Sequence, residues 1–228
     1  MSTAPGAPPS YPARLEATPP EQLSRWLWLV KWLLIIPHAV VLLFLWIAFM
    51  ILSVVAFFAI LLTGRYPRGI FGFNVGVLRW SWRVGYYFTS ALATDTYPPF
   101  TLGEAPDYPA SFTVEYPARL SRGLALVKWW LLAIPHYIVV SLLLGPQVGY
   151  TVEDQTRYQS HIGLIGILVL VAVVVLLFTS RYPRGVYDLI IGLNRWVYRV
   201  AAYAGLMTDA YPSFRLDMGP HEPDRADR

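Results

Sequence analysis

Residues 29–38 read Leu-Val-Lys-Trp-Leu-Leu-Ile-Ile-Pro-His, and residues 126–136 read Leu-Val-Lys-Trp-Trp-Leu-Leu-Ala-Ile-Pro-His. The echo extends in both directions. Tyr11-Pro-Ala-Arg-Leu15 returns as Tyr116-Pro-Ala-Arg-Leu120, and Arg65-Tyr-Pro-Arg-Gly69 as Arg181-Tyr-Pro-Arg-Gly185. Arg79-Trp80 with Arg83-Val84 returns as Arg195-Trp196 with Arg199-Val200. Thr94-Asp95, Tyr97-Pro98, Phe100 and Leu102 return as Thr208-Asp209, Tyr211-Pro212, Phe214 and Leu216. Six matched blocks in one order define an internal duplication, with units over 11–102 and 116–216. Residues 1–10 and 217–228 are polar and read as disordered tails.

Composition sets the class. Hydrophobic residues make up 56% of the chain and charged residues 14%, with a mean hydropathy of +0.45. A water-soluble domain carries about a quarter charged residues, so the polar surface is too small for life in water. Nine Trp and fifteen Tyr suit the headgroup level of a bilayer. The net charge of +4 comes from basic residues that flank apolar runs, which points to anionic lipid headgroups and not to nucleic acid. There is no cysteine, hence no disulfide, thiolate metal site or Cys nucleophile. The first ten residues hold no charge and the apolar run begins only near Trp26, unlike a signal peptide, so the N-terminus is expected to be retained.

The ordered set Leu-Val-Lys-Trp, Ile-Pro-His, Arg-Tyr-Pro-Arg-Gly, Arg-Trp-x-x-Arg-Val and Thr-Asp-x-Tyr-Pro-x-Phe resembles the bacterial membrane family catalogued as domain of unknown function 4389, in two tandem copies. The resemblance covers nearly the whole chain. It implies a bacterial membrane protein and carries no activity with it.

Between Arg25 and Arg65 the chain is apolar apart from Lys31, Pro37-His38 and Ser53. As one helix this stretch would be about 55 Å long, against a hydrocarbon core of about 30 Å. Either an interfacial helix precedes one span, or two short spans form a hairpin. In the second copy the distance from Pro-His to Arg-Tyr-Pro-Arg is 18 residues longer, and the extra residues are the polar run around Gly145–His161. Insertions fall in loops, which predicts a turn near Trp46–Ala48 and four short spans in all. That topology leaves Arg157 as the one basic residue outside, in keeping with the positive-inside rule, with both termini cytoplasmic. The expected fold is an α-helical integral membrane protein: a duplicated helical hairpin with interfacial amphipathic helices and a small cytoplasmic β element. The interfacial helices are assigned to residues 70–93 and their counterpart, because Arg79 and Arg83 would be costly at a bilayer centre. The alternating Tyr-Pro segments Tyr11–Glu16, Pro99–Leu102, Ser111–Leu120 and Ser213–Asp217 read as short strands.

Four constellations are candidate sites. Arg65 and Arg68, with Arg181 and Arg184, join guanidinium forks to a helix start and suit a lipid phosphate, or serve as plain interface anchors. Arg79, Arg83, Arg195 and Arg199 form a basic stripe that would meet anionic headgroups. His38 and His136, each beside a proline, could ligate haem iron or carry protons, or could cap the carbonyl a kinked helix leaves open. Asp95 and Asp209 end the interfacial helices, where salt bridges to those arginines or an Asx turn would compensate their charge. No catalytic triad, phosphate loop or HExxH motif accompanies them, and no cofactor or metal is expected. The sequence therefore favours a non-enzymatic accessory or scaffold component of a bacterial inner-membrane complex, partnered by another membrane protein or by its own copies. A lipid- or haem-binding protein and a small transporter or channel subunit are the alternatives.

Overall fold

The computed structural model describes residues 11–20, 23–145, 147–152, 155–179 and 182–221. Most of both expected tails, and Arg181, lie outside the described residues. β1 (Ala13–Ala17) precedes α1 (Trp28–Leu34), α2 (Ile36–Thr63) and α3 (Arg68–Val84), which widens into a π-helical turn over Gly85–Thr89. The same order then repeats, its first strand lying ahead of residue 116. β2 (Ala110–Val114) leads to α4 (Arg122–Val127), a π-helical turn over Lys128–Leu132 and α5 (Ile134–Leu144). A hairpin of β3 (Gln147–Val152) and β4 (Gln155–Ser160) follows, then α6 (Leu164–Thr179) and α7 (Arg184–Ala204). The chain is mostly helical, as expected.

The hairpin expected in the first copy is replaced by one unbroken helix. α2 runs for 28 residues through Trp46–Ala48, about 42 Å at 1.5 Å per residue. Nothing after Pro37 stops it, because Pro37 sits in the first turn where its missing N–H costs nothing. It ends at Gly64, whose φ of 70° lies in the left-handed region that favours glycine and whose N–H bonds the Ile60 carbonyl. Among the described residues α2 is the one helix long and apolar enough to cross a membrane, where four spans were expected.

The second copy shows why the insertion misled. Phe49, Ala56 and Ile60 are buried in α2, at 16, 9 and 5 residues before Arg65. Ile165, Ala172 and Leu176 are buried in α6 at the same three distances before Arg181. His136 and Leu143 continue that face in α5. α5 and α6 together therefore correspond to α2, and the β3–β4 hairpin is spliced into a helix, not into a turn. The chain leaves at Gly145, with φ 105°, and returns at Gly163, so close that a Cβ on Gly145 would lie 2.9 Å from the Gly163 nitrogen.

The elements form three layers. α3 runs back along α2, with Trp46 Nε1 donating to Ser81 Oγ at 3.1 Å and Asn74 Nδ2 to Ser53 Oγ at 3.2 Å. α7 packs likewise on α5 and α6. β1 and β2 pair antiparallel about Leu15 and Phe112 on the far side of α3 and α7. Ala13, Leu15, Ala17, Ala110 and Phe112 point into the core, while Arg14, Ser111 and Thr113 face outward. α3 and α7 are thus a central layer, buried on both sides, and not the surface-lying helices expected. The other two segments expected as strands, 99–102 and 213–217, are irregular, and the segment from 111 is a strand only to Val114.

A two-fold relation joins the copies. Trp82 and Tyr198 occupy the same place in each copy and touch across the join, with ring centroids 5.6 Å apart. Tyr66 donates to the Gly205 carbonyl at 3.4 Å, and its counterpart Tyr182 donates to the Ala91 carbonyl at 2.6 Å. The strands are crossed: β2 lies on α3 of the first copy and β1 on α7 of the second.

Two outcomes are expected. Excision of residues 145–162 should give the second copy an unbroken helix of the first copy's length, leaving a folded chain with higher helicity per residue by circular dichroism. Burial also pushes the Tyr66 hydroxyl up to about 12, and raises Tyr86, Tyr108 and Tyr187. Such phenols stay neutral in the folded chain but ionise near pH 10 when unfolded. Their stabilisation is complete below pH 10 and is lost as pH rises towards and beyond 12. Phenolate absorbance at about pH 11 should account for fewer than the fifteen tyrosines, the rest appearing together with unfolding.

Candidate functional site

The repeated polar residues gather into three clusters, each present twice. The first is an arginine clamp. Gly76 and Gly192, one turn before Arg79 and Arg195, open a groove across α3 and α7. A Cβ on Gly76 would lie 2.8 Å from the Leu102 Cβ, and one on Gly192 would lie 3.1 Å from the Asp217 carbonyl oxygen. The irregular segments that follow Tyr-Pro lie in these grooves, and the arginines hold them. Arg79 donates to the carbonyls of Phe112 at 2.9 Å and Leu102 at 3.1 Å, and Arg83 to that of Gly103. Arg195 donates to the carbonyls of Leu15 at 3.1 Å, Asp217, and Gly219 at 3.1 Å. Arg199 pairs with the Asp217 carboxylate at 2.8 Å. The basic stripe expected to meet headgroups is turned inward: three of the four guanidinium groups are buried and Arg79 is nearly so. Their fork geometry matches main-chain carbonyls, which is a way to cross-link backbone.

The second cluster pairs lysine with aspartate. Lys31 lies 2.8 Å from Asp95, donates to the Thr94 carbonyl at 2.7 Å and sits 4.9 Å from the centre of the Tyr87 ring. Lys128 repeats this with Asp209 at 2.8 Å, the Thr208 carbonyl at 3.0 Å and Tyr203 at 5.5 Å. Each aspartate also accepts from a backbone N–H, of Ser24 or Ser121, at 2.6 Å. The partners of Asp95 and Asp209 are therefore lysines and not the arginines expected. The signal was present: the chain has only two lysines, and both fall in matched blocks.

The third cluster is an aromatic box around each histidine. His38 Nδ1 accepts from Trp80 Nε1 at 3.0 Å, and Phe100 stacks on its ring at 3.9 Å. His136 accepts from Trp196 at 3.2 Å under Phe214 at 4.3 Å. A ring nitrogen that accepts carries no proton, so a neutral ring holds its proton on Nε2. In both boxes Nε2 is buried without a hydrogen-bond partner. The open carbonyls at the two helix breaks are capped by tyrosine and not by imidazole, with Tyr97 donating to Leu34 at 3.1 Å and Tyr211 to Leu132 at 3.3 Å. Each histidine sits in the box of its own copy, not paired with the other. Among the described residues no group of three metal-binding side chains comes together.

Arg65, Arg68 and Arg184 are exposed at the ends of the long helices, while Arg181 is outside the described residues. Arg122, missed in the sequence, joins the first group. A Cβ on Gly64 would lie 3.7 Å from Arg122 Nε, and Arg68 lies over the Tyr116 ring at 5.2 Å. An apolar cavity of about 520 Å³ also opens between the copies, lined by Trp46, Val54, Phe57, Trp129 and Ala204 among others.

A duplicated three-layer helical protein with one apolar face is the class that fold and clusters define. The family described as Domain of unknown function (DUF4389) matches residues 25–101 and 160–215, more than half of the chain, and the protein belongs to that family. No curated protein and no solved structure matches it.

Lys31→Met should cost about 2 kcal/mol, by leaving Asp95 without its buried partner. Lys128→Met should cost the same, and the two losses should add within about 0.5 kcal/mol in detergent unfolding curves.

Proposed function

We propose that the chain is an integral protein of the bacterial cytoplasmic membrane, seated in one leaflet by its apolar layer, and that it serves as a non-enzymatic accessory or scaffold component. The observation that carries the seat is the contrast between its two faces. On one face Leu43, Met50, Val54, Phe58 and Leu62 of α2 are exposed, joined by Ile138, Leu142, Ile167, Leu170 and Phe178 of the second copy. Leu62 and Phe178 are 76% and 82% exposed, and a continuous patch of this kind is a membrane or protein contact. On the opposite face the sheet turns Arg14, Ser111 and Thr113 outward.

Depth favours lying flat over crossing. Trp82 donates to the Glu16 carbonyl of β1 at 3.4 Å, while its neighbour Ser81 accepts from Trp46 in the middle of α2. The sheet is therefore level with the middle of α2. A bilayer wrapped around α2 would bury the polar back of the sheet in hydrocarbon, away from water. A one-leaflet seat leaves that back in water and sets the two-fold relation along the membrane normal. Trp26, Trp32, Trp129 and Trp130, all exposed, then lie at headgroup depth. Arg25, Arg65, Arg68, Arg122 and Arg184 meet the same cytoplasmic headgroups. The accessory role rests on the absence of a catalytic motif in the sequence and on polar clusters spent in holding backbone.

Thr96→Cys and Gly69→Cys mark opposite ends of α2. Both should resist an impermeant maleimide in intact cells and both should react after permeabilisation. Reaction of one alone in intact cells would make α2 a spanning helix. Native purification in mild detergent should bring down a stoichiometric membrane partner, and a chain that purifies alone would remove the accessory role.

A further inference from the structure

We infer that the crevice between the two copies holds one acyl chain of an anionic phospholipid, whose phosphate is bound at the corner formed by Arg65, Arg68 and Arg122. This rests on the membrane seat proposed above. The crevice lies between the part of α2 from Trp46 to Phe58 and the stretch of the second copy that carries Trp129 and Ala204. Its volume of about 520 Å³ is that of a small-ligand site.

The chemistry of the walls selects hydrocarbon. Ser53 and Tyr137 are the lining residues with hydroxyls, and both hydroxyls are engaged. Ser53 Oγ accepts from Asn74, and the Tyr137 hydroxyl donates to the Trp129 carbonyl at 2.6 Å. A polar solute would lose its hydration there and gain no partner. A methylene chain displaces poorly held water and covers Phe57, Trp46 and Trp129.

The charge selects the headgroup. Phe58 in the crevice wall lies five residues from Thr63 at the end of α2, about 8 Å along the helix. α4 packs beside this end, its Leu120 N–H donating to the Gly64 carbonyl at 2.9 Å just before Arg122. Arg65 and Arg68 follow Thr63 closely in the chain and Arg122 lies against Gly64, so three basic residues stand beyond the Phe58 end of the apolar slot. Two copies contribute to one site, since Arg65 and Arg68 belong to the first and Arg122 to the second, so the lipid would bridge them.

The test uses the full chain in mixed nanodiscs of dioleoylphosphatidylglycerol and dioleoylphosphatidylcholine, transferred to detergent and weighed by native mass spectrometry. The wild type should retain one phosphatidylglycerol per chain. Ala204→Trp and, separately, Val54→Trp fill the slot from opposite walls and should abolish retention of either lipid. Arg65→Ala with Arg122→Ala should leave the slot but reduce the preference for phosphatidylglycerol about tenfold. Circular dichroism melts identify any variant that fails to fold, and the others decide. A wild type that keeps no lipid overturns the site, as does a folded slot-filling variant that keeps as much as the wild type. Flotation with phosphatidylglycerol vesicles separates the two claims. A chain that does not float removes the membrane seat, whereas one that floats but retains no lipid removes this site alone.

Discussion

Arg79 and Arg195 each hold a strand that belongs, by chain order, to the opposite copy. A guanidinium group keeps its charge at any pH a protein survives, so once buried it must find acceptors for its donors. Here the acceptors are main-chain carbonyls of β2, β1 and the segments that follow Tyr-Pro. The demand works in both directions. Irregular backbone brought under a helix also needs partners, and side-chain donors aimed along a glycine groove supply them. Layer order follows from this bond. Strands pinned to the inner helices cover one side of the central layer, and only the long apolar helices remain to cover the other.

Much of this was legible in the residues. Matched blocks disclosed a duplication, hydropathy disclosed the apolar layer, and alternating Tyr-Pro segments disclosed a small sheet. Each rests on a pattern of period or repeat that survives without knowledge of contacts. The positions of Gly76 and Gly192 beside the arginines were visible too, but a glycine on a basic stripe does not say whether the space it leaves is for water, for lipid or for the chain itself.

What remained hidden depended on long-range pairing. A polar insert in an apolar run reads as a loop between helices, and only the burial register of Ile165, Ala172 and Leu176 exposes it as a splice within one helix. Arg79 and Arg83 lie near Asp95 in sequence and invite pairing with it, while its partner Lys31 is brought from α1. His38 was expected to cap a carbonyl, yet Tyr97 reaches that carbonyl first and Trp80 takes the imidazole nitrogen. In each case the residue types were right and the geometry chose among them.

The crossing of the strands carries a further consequence for ancestry and assembly. A chain with one copy alone would present a clamp with no strand beneath it and a strand with no clamp. Two such chains would complete each other by exchange, as domain-swapped homodimers do, and the present two-fold relation has the form of that dimer. Fusion into one polypeptide replaces an encounter between molecules by a tether, so the exchange no longer depends on expression level. It also frees the halves to diverge. One copy has accepted a β-hairpin inside its long helix, and a self-paired homodimer would have had to carry that insertion twice.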